Sequence, residues 1–378
     1  MHLVPVRPDL PVFLFALGTF TIFAKKESMK RISALLIGCS VIFTASCNQK
    51  SGLLILDSFP SVEQLMPSDS TLLSDWGIQM PLGIVVIDEK FVIQHEDGDV
   101  LVSVLEKGER KTVFRNGRGP NELLEPTSLV KKEGCFNIYD SMRRVLLSVD
   151  MHSSDSTAPS IDTLASIKNV GQEGYAAPIY LYNNDRSYVS SGYQPGYWYT
   201  LVDSNGKILD GVEYISFSGK NFNEKENYVI HLNSFVAIHP EKSKGVCVMS
   251  DADAISLFEI ESDMIHEYCR KVYSSPSVEG TRDPNSPILR HLPGSYRSFR
   301  SVAADEDYIY ALYSGNLLRD ADIPASECRN LLVYDWEGNA VKRIILGVSI
   351  NAFQIQRDTI YGVSMHPESR LYKFVLDI

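Results

Sequence analysis

The feature that most constrains this chain is a single sheet-forming module, RNGRGPNELLEPTSLVKKEGCFNIYDSMRRVLLSVDM, running from Arg115 to Met151, whose back half recurs in weaker form along the sequence. The module comprises a glycine and proline loop, a short strand, a turn, a second strand ending in Tyr139 and Asp140, another turn and a third strand. The related stretches begin at Lys90, Cys135, Ser187, Gly245, Tyr308 and Thr359. Each pairs an aliphatic or aromatic strand with a polar turn and an alternating strand. Their spacing of about 45 to 60 residues suits four-stranded sheets repeated around an axis. The turns Asp203-Ser204-Asn205-Gly206 and Trp336-Glu337-Gly338-Asn339 carry residues that tolerate positive φ.

One such sheet has two apolar faces and cannot hide either from water, whereas radial packing covers both and closure of the ring leaves no unprotected end. Nineteen tyrosines and sixteen phenylalanines fit half-buried pleated surfaces. The last sheet ends at Leu371 to Leu376 without a fourth strand, and the early run Gly52 to Asp57 is the expected closing strand.

The loop Gly117, Arg118, Gly119, Pro120, Asn121, Glu122 is expected to carry the chain from the outer edge of one sheet to the centre of the next, a structural role for Gly117, Arg118, Gly119, Pro120 and Glu122. It does not fit a dinucleotide fingerprint. Glu122 occupies the place of the third glycine, and a strand pattern follows where a helix is needed. With the aliphatic, Tyr, Asp strand ending that follows, the loop resembles the G-x-G-P-x-E repeat of TolB-like and NHL-like six-bladed propellers. That resemblance implies an all-β, six-bladed propeller over residues 48–378 and a place in the cell envelope of a Gram-negative bacterium. It carries over no catalytic residue.

The N-terminal residues point the same way. From Met29 the chain has a basic start, an apolar run from Ile32 to Phe43 and small residues before Cys47. An h-region of about a dozen residues is too short to span roughly 30 Å of hydrocarbon and has the length of a signal peptide. Thr44, Ala45, Ser46 and Cys47 resemble a bacterial lipobox, which makes residues 29–47 a lipoprotein signal and Cys47 the lipidated residue. Residues 1–28 add a second apolar run before a complete signal, so translation is expected to start at Met29, with a genuine membrane segment as the alternative. Asn48 after the cysteine, and the lack of an acidic pair beyond it, imply an outer-membrane lipoprotein facing the periplasm.

The formal charge is −11, and without residues 1–47 the remaining 31 basic and 45 acidic residues leave −14. An acidic body without a basic stripe repels phosphate backbones, which excludes nucleic acid as the expected partner. None of the six cysteines forms a C-x-x-C pair, and a disulfide among Cys135, Cys247, Cys269 and Cys328 stays open. His95-Glu96 and His266-Glu267 lack the second histidine of a zinc motif. Phosphate-loop and nucleophile-elbow motifs are absent as well. Asp97, Asp99, Asp251 and Asp253 lie in turns without further calcium ligands and are expected to be solvated. No metal or cofactor is expected from these residues.

Two regions remain as candidate binding sites. The Pro-rich stretch Ser274 to Ser301 is too long for a plain connection and gathers Arg282, Arg290, His291, Tyr296, Arg297 and Arg300. Arginine forks beside aromatics suit an anionic ligand or a partner's carboxylates. The second is aromatic, with Tyr175, Tyr180, Tyr182, Tyr188, Tyr193, Tyr197, Trp198 and Tyr199, residues that serve either as core or as an interface or sugar platform. The expected function is a membrane-tethered, non-enzymatic module binding a protein, peptide or glycan. A propeller hydrolase or lyase with a channel metal is the alternative, and it requires carboxylates, amides or histidines converging on one ion.

Overall fold

A computed structural model describes residues 54–152, 160–166, 179–181, 187–191, 195–281, 289–319 and 324–376. Six antiparallel sheets form the blades of a β-propeller. Blade 1 comprises Pro81–Ile87, Lys90–Asp97, Val100–Glu106 and Glu109–Asn116. Blade 2 comprises Pro126–Lys132, Cys135–Asp140, Val145–Asp150 and Ser160–Ser166. Blade 3 has Ile179–Leu181, Ser187–Ser191, Tyr197–Asp203 and Ile208–Glu213. Blade 4 has Ser234–Ile238, Lys244–Met249, Ala254–Glu261 and Met264–Val272. Blade 5 has Phe299–Ala304, Tyr308–Tyr313, Cys328–Asp335 and Ala340–Ile350. Blade 6 has Ala352–Gln356, Thr359–Ser364 and Arg370–Val375, and takes its outermost strand, Asp69–Leu72, from the other end of the propeller. The first strand of each blade packs against the first strand of the next all the way round, so these six strands line the axis.

The reason for the ring lies in where the apolar side chains go. Middle strands such as Tyr197–Asp203 are buried on both faces, whereas the outer strand Met264–Val272 alternates between burial and exposure. The core accordingly divides into six clusters, one at each junction between neighbouring blades. Phe114 and Phe136 belong to the cluster between blades 1 and 2, Trp198 and Phe258 to that between 3 and 4, and Tyr310 and Phe374 to that between 5 and 6. The six repeated segments read from the sequence are the middle strands of these six blades.

Closure by an N-terminal strand is present, but a different segment performs it. Asp69 pairs with Lys373 and Leu72 with Arg370, antiparallel. Leu56–Ser58, which takes in the last two residues of the run expected to close the ring, is instead a 3-10 turn. Ile55, Leu56 and Phe59 insert between blades 4 and 5 beside Val246, Leu257 and Tyr334. An apolar run gains more by burying side chains in that junction than by lying along a half-exposed edge, whereas the polar sequence DSTL suits an outermost strand. Between these two segments, Val62–Leu65 adds a parallel fifth strand to the outer edge of blade 5. The four cysteines Cys135, Cys247, Cys269 and Cys328 are free thiols.

Candidate functional site

The described connections that pass from one blade to the next emerge at the end of the ring where the innermost strands begin. Two of these are elaborated. Residues 214–233, between blades 3 and 4, contain the helix Glu224–Leu232. Residues 273–298, between blades 4 and 5, contain a hairpin of Val278–Gly280 with Leu289–His291. The helix is set by a reciprocal capping box: Glu226 N–H donates to Asn223 Oδ1 at 3.0 Å, and Asn223 N–H donates to Glu226 Oε2 at 2.8 Å. The helix start and the hairpin flank a polar cleft of about 440 Å³ that includes Asn223, Glu226, Val278 and Glu279. The Asn-x-x-Glu pattern is the one legible sequence signal for this insertion.

The same end is held by polar clasps between blades. Gln94 Nε2 donates to Pro126 O at 2.7 Å, and Asn351 Nδ2 donates to Pro81 O at 2.8 Å. Ser191 Oγ donates to Ser234 O at 3.3 Å, and Ser298 N–H donates to Ser250 O at 2.8 Å. Glu327 of blade 5 accepts from Met365 N–H at 3.1 Å and from Ser364 Oγ at 3.2 Å, both on blade 6. Burial pushes the Glu327 pKa upward against these bonds. Around this polar mouth stand the exposed side chains of Met80, Met142 and Leu317.

The arginine-rich insertion divides into separate roles. Arg282 lies outside the described residues. Arg290 forms an exposed ion pair with Glu279 across the hairpin, where half-buried His291 is the register partner of Val278. Tyr296 OH donates to Asp253 Oδ2 at 2.7 Å and sits 2.9 Å from Ser274 Oγ. Arg297 Nη1 donates to Asp251 Oδ1 at 2.6 Å and reaches Ser250 Oγ at 3.3 Å. These bonds bind blade 5 to blade 4, so Tyr296 and Arg297 serve the framework. Arg300 lies on the innermost strand of blade 5, close enough to Arg297 for the two charges to oppose each other.

The expectation that these turn aspartates are solvated is therefore corrected. Asp251 and Asp253 are buried at the junction, where Arg297, Ser298 and Tyr296 supply their partners. Burial raises the Asp253 pKa while those hydrogen bonds hold it down. Asp97 is also mostly covered, accepting the N–H of Gln79 at 2.8 Å and facing His95 Nδ1 at 3.1 Å. Only Asp99 of the four stays open to water. In the aromatic region Tyr188, Trp198 and Tyr199 are core residues, and Tyr197 is half-buried. Tyr175, Tyr182 and Tyr193, like Cys47, lie outside the described residues, as does the side chain of Tyr180.

In the loop after blade 1, the Glu122 carboxylate turns inward and accepts from Gly119 N–H at 2.6 Å, while its carbonyl oxygen accepts from Arg143 at 2.7 Å. Arg118 and Pro120 face solvent. A Cβ on Gly117 would meet the Glu122 carboxylate, and the backbone φ of +153° there itself disfavours a side chain.

Blade 1 also holds an arrangement with the outline of a catalytic triad. His95 Nε2 is 2.9 Å from Ser103 Oγ, and its Nδ1 faces Asp97. Ser103 is fully buried and also accepts from Arg110 Nε at 3.0 Å. A nucleophile needs access to substrate, and this hydroxyl has none. Burial lowers the His95 pKa to about 4, with Asp97 opposing the shift. The network fixes Arg110, which donates to Trp76 O in the segment that enters blade 1. Among the described residues no group of three or more His, Cys, Asp and Glu side chains is placed to hold a metal ion.

A six-bladed ring with its elaborated connections gathered around one polar mouth defines a β-propeller with one specialised face. The chain belongs to the TolB-like six-bladed propeller family, whose model matches residues 59–358. No curated protein matches the chain by sequence. Among solved structures, a luciferin-regenerating enzyme has a TM-score of 0.45 at 9% identity, covering 81% of this chain and 95% of that one. The propeller domain of Cps50 (Swd1) from Myceliophteria thermophila has a TM-score of 0.42 at 9% identity, covering 82% and 99%. BamB from Moraxella catarrhalis has a TM-score of 0.36 at 8% identity, covering 78% and 71%.

Proposed function

We propose that this chain is an envelope lipoprotein, acylated at Cys47 on the periplasmic side of the outer membrane, whose propeller binds a protein, peptide or glycan. Nucleic acid is excluded from this role by the acidic body. The observation that carries the binding role is the gathering of both elaborated insertions, the polar cleft and the exposed Met80, Met142 and Leu317 at one end of the ring. Exposed methionines adapt their shape to a partner.

A matched pair of photo-crosslinkers tests the face. Met142 stands at the mouth and is 63% exposed, whereas Met264 begins the outermost strand of blade 4 at the opposite end and is 51% exposed. A crosslinker at position 142 is expected to capture a discrete envelope partner in cells, and one at 264 is not. Capture from position 264 alone, or from neither, rejects the proposed face.

A further inference from the structure

Arg300 differs from the other described arginines of its insertion. Phe299 is the register partner of Tyr313 and Ser301 that of Leu312, so Arg300 is the extra residue of a bulge at the start of an axis-lining strand. Bulges re-aim a side chain away from the regular alternation of a strand and are frequent beside functional sites. The Arg300 side chain is half-buried, and burial lowers the pKa of its guanidinium. Yet it donates no hydrogen bond and forms no ion pair among the described residues.

The acid whose charge it feels, Glu327, and the two acids of the adjoining blade junction are already engaged. Asp251 accepts from Arg297 and, at 3.0 Å, from Asn233 Nδ2. Asp253 is taken by Tyr296 and Ser298, and Glu327 by Ser364 and Met365. A guanidinium with its hydration reduced, five N–H groups and no hydrogen-bond acceptor among the described residues is unfavourable in the free protein, and the charge of Glu327 offsets only part of that. An incoming anion reverses that penalty.

We infer that Arg300 is the recognition group of the mouth and receives a carboxylate from a partner polypeptide, at an Asp, a Glu or a C terminus. The inference rests on the binding face proposed above and specifies its chemistry. One free planar fork matches a carboxylate in bidentate geometry. A dianionic phosphate meets stronger repulsion from Glu327 than a carboxylate does, with the second arginine already neutralised by Asp251. The rim favours polypeptide over sugar. Its exposed apolar groups, Met80, Met142 and Leu317, are flexible and aliphatic, suited to peptide side chains, whereas sugars favour flat aromatic platforms.

The test uses the full chain on an array of random dodecapeptides with free C termini, beside a parallel array of acidic oligosaccharides. Wild-type protein is expected to select peptides rich in Asp and Glu. Arg300→Gln should weaken that signal about tenfold, the loss of one charged contact, and Arg300→Lys should retain part of it. The melting temperature of Arg300→Gln should hold or rise, because no partner is lost, whereas loss of a structural arginine lowers it.

Each contrary result has a distinct meaning. Unchanged selection of acidic peptides by Arg300→Gln, a fall in its melting temperature, no acidic preference in the wild type, or Arg300-dependent binding confined to the oligosaccharides overturns the inference. The exposed triple variant Met80→Ser, Met142→Ser, Leu317→Ser separates the two levels. Binding lost in the triple variant but kept in Arg300→Gln leaves the face standing and removes the carboxylate, whereas binding indifferent to both removes the face itself.

Discussion

The backbone N–H of Ile215 donates to Nε2 of His231 at 2.9 Å, and Nδ1 of the same ring lies 2.7 Å from Asn227 O. The imidazole is therefore neutral, with its proton on Nδ1, and it ties the last turn of the insertion helix to the chain leaving blade 3. Burial lowers its pKa from 6.5 to about 4, against the opposing effect of the Asn227 carbonyl. The unfolded chain then binds this proton more readily than the folded one. Stability is full above about pH 6.5 and falls as pH drops toward 4, by roughly 3 kcal/mol from this group once both states are protonated. His95 acts with the same sign. Urea denaturation at pH 7.5, 5.5 and 4.5 should show the decline, and His231→Phe should lower the plateau while flattening the slope. A variant slope equal to wild type refutes the assignment.

The arginines of the second insertion should separate by their surroundings. Arg297 pairs with Asp251, whose side chain is only 4% exposed, and Arg297→Gln leaves that carboxylate without its cation. A loss of about 2–3 kcal/mol is expected in chemical denaturation. Arg290 and Glu279 form a solvent-exposed pair, and Arg290→Gln should stay within about 0.5 kcal/mol of wild type. Equal losses at the two positions contradict this division.

Phe59 meets Tyr334 edge to face, with ring centroids 5.2 Å apart, and is buried in the junction of blades 4 and 5. Phe59→Ala should cost about 3 kcal/mol, read as a shifted denaturation midpoint with an unchanged m-value. A neutral result means that this N-terminal segment contributes nothing to the junction.

That segment also marks the limit of what the sequence makes legible. The middle strands of all six blades can be read from residue order because both faces are buried and the turns between them carry Gly, Asn and Asp, as at Asp203 to Gly206. The closing strand cannot. Asp69 to Leu72 is short and polar, and its partner lies some 300 positions away, while Ile55 and Leu56 look like a strand and are used as a plug. The site shows the same contrast. The clustering of Arg290, Arg297 and Arg300 is visible in the sequence, but adjacency does not say that one lies on an exposed hairpin, one pins two blades and one stands in a bulge. Asp251 and Asp253 have the residue type of solvated turns, and only the apposition of blade 5 reveals their partners.

Gly117 tests the loop between blades 1 and 2. Its φ of +153° disfavours a side chain, and an added Cβ meets the Glu122 carboxylate. Gly117→Ala should destabilise by about 1–3 kcal/mol. Adding Glu122→Ala relieves the collision but leaves Gly119 N–H without its acceptor, so the double variant should recover only part of the loss. Full recovery shows that the backbone conformation imposes no cost, and no loss in the single variant shows that the loop yields freely.

On the proposed reading, acylation at Cys47 holds the propeller at the membrane. An acyl chain contributes about 0.8 kcal/mol per buried methylene, and two or more chains on one cysteine give stable anchoring where a single chain gives only marginal, reversible binding. A signal segment whose apolar run is about a dozen residues cannot replace that anchor by spanning roughly 30 Å of hydrocarbon. In cells fed an alkyne fatty acid, wild-type protein should carry the label and sediment with membranes. Cys47→Ala should lose the label and move largely to the soluble fraction, with its propeller folded, because the cysteine lies outside residues 59–358 matched by the family. Label retained in Cys47→Ala places acylation elsewhere, and membrane association unchanged without label replaces the lipid anchor with a protein contact.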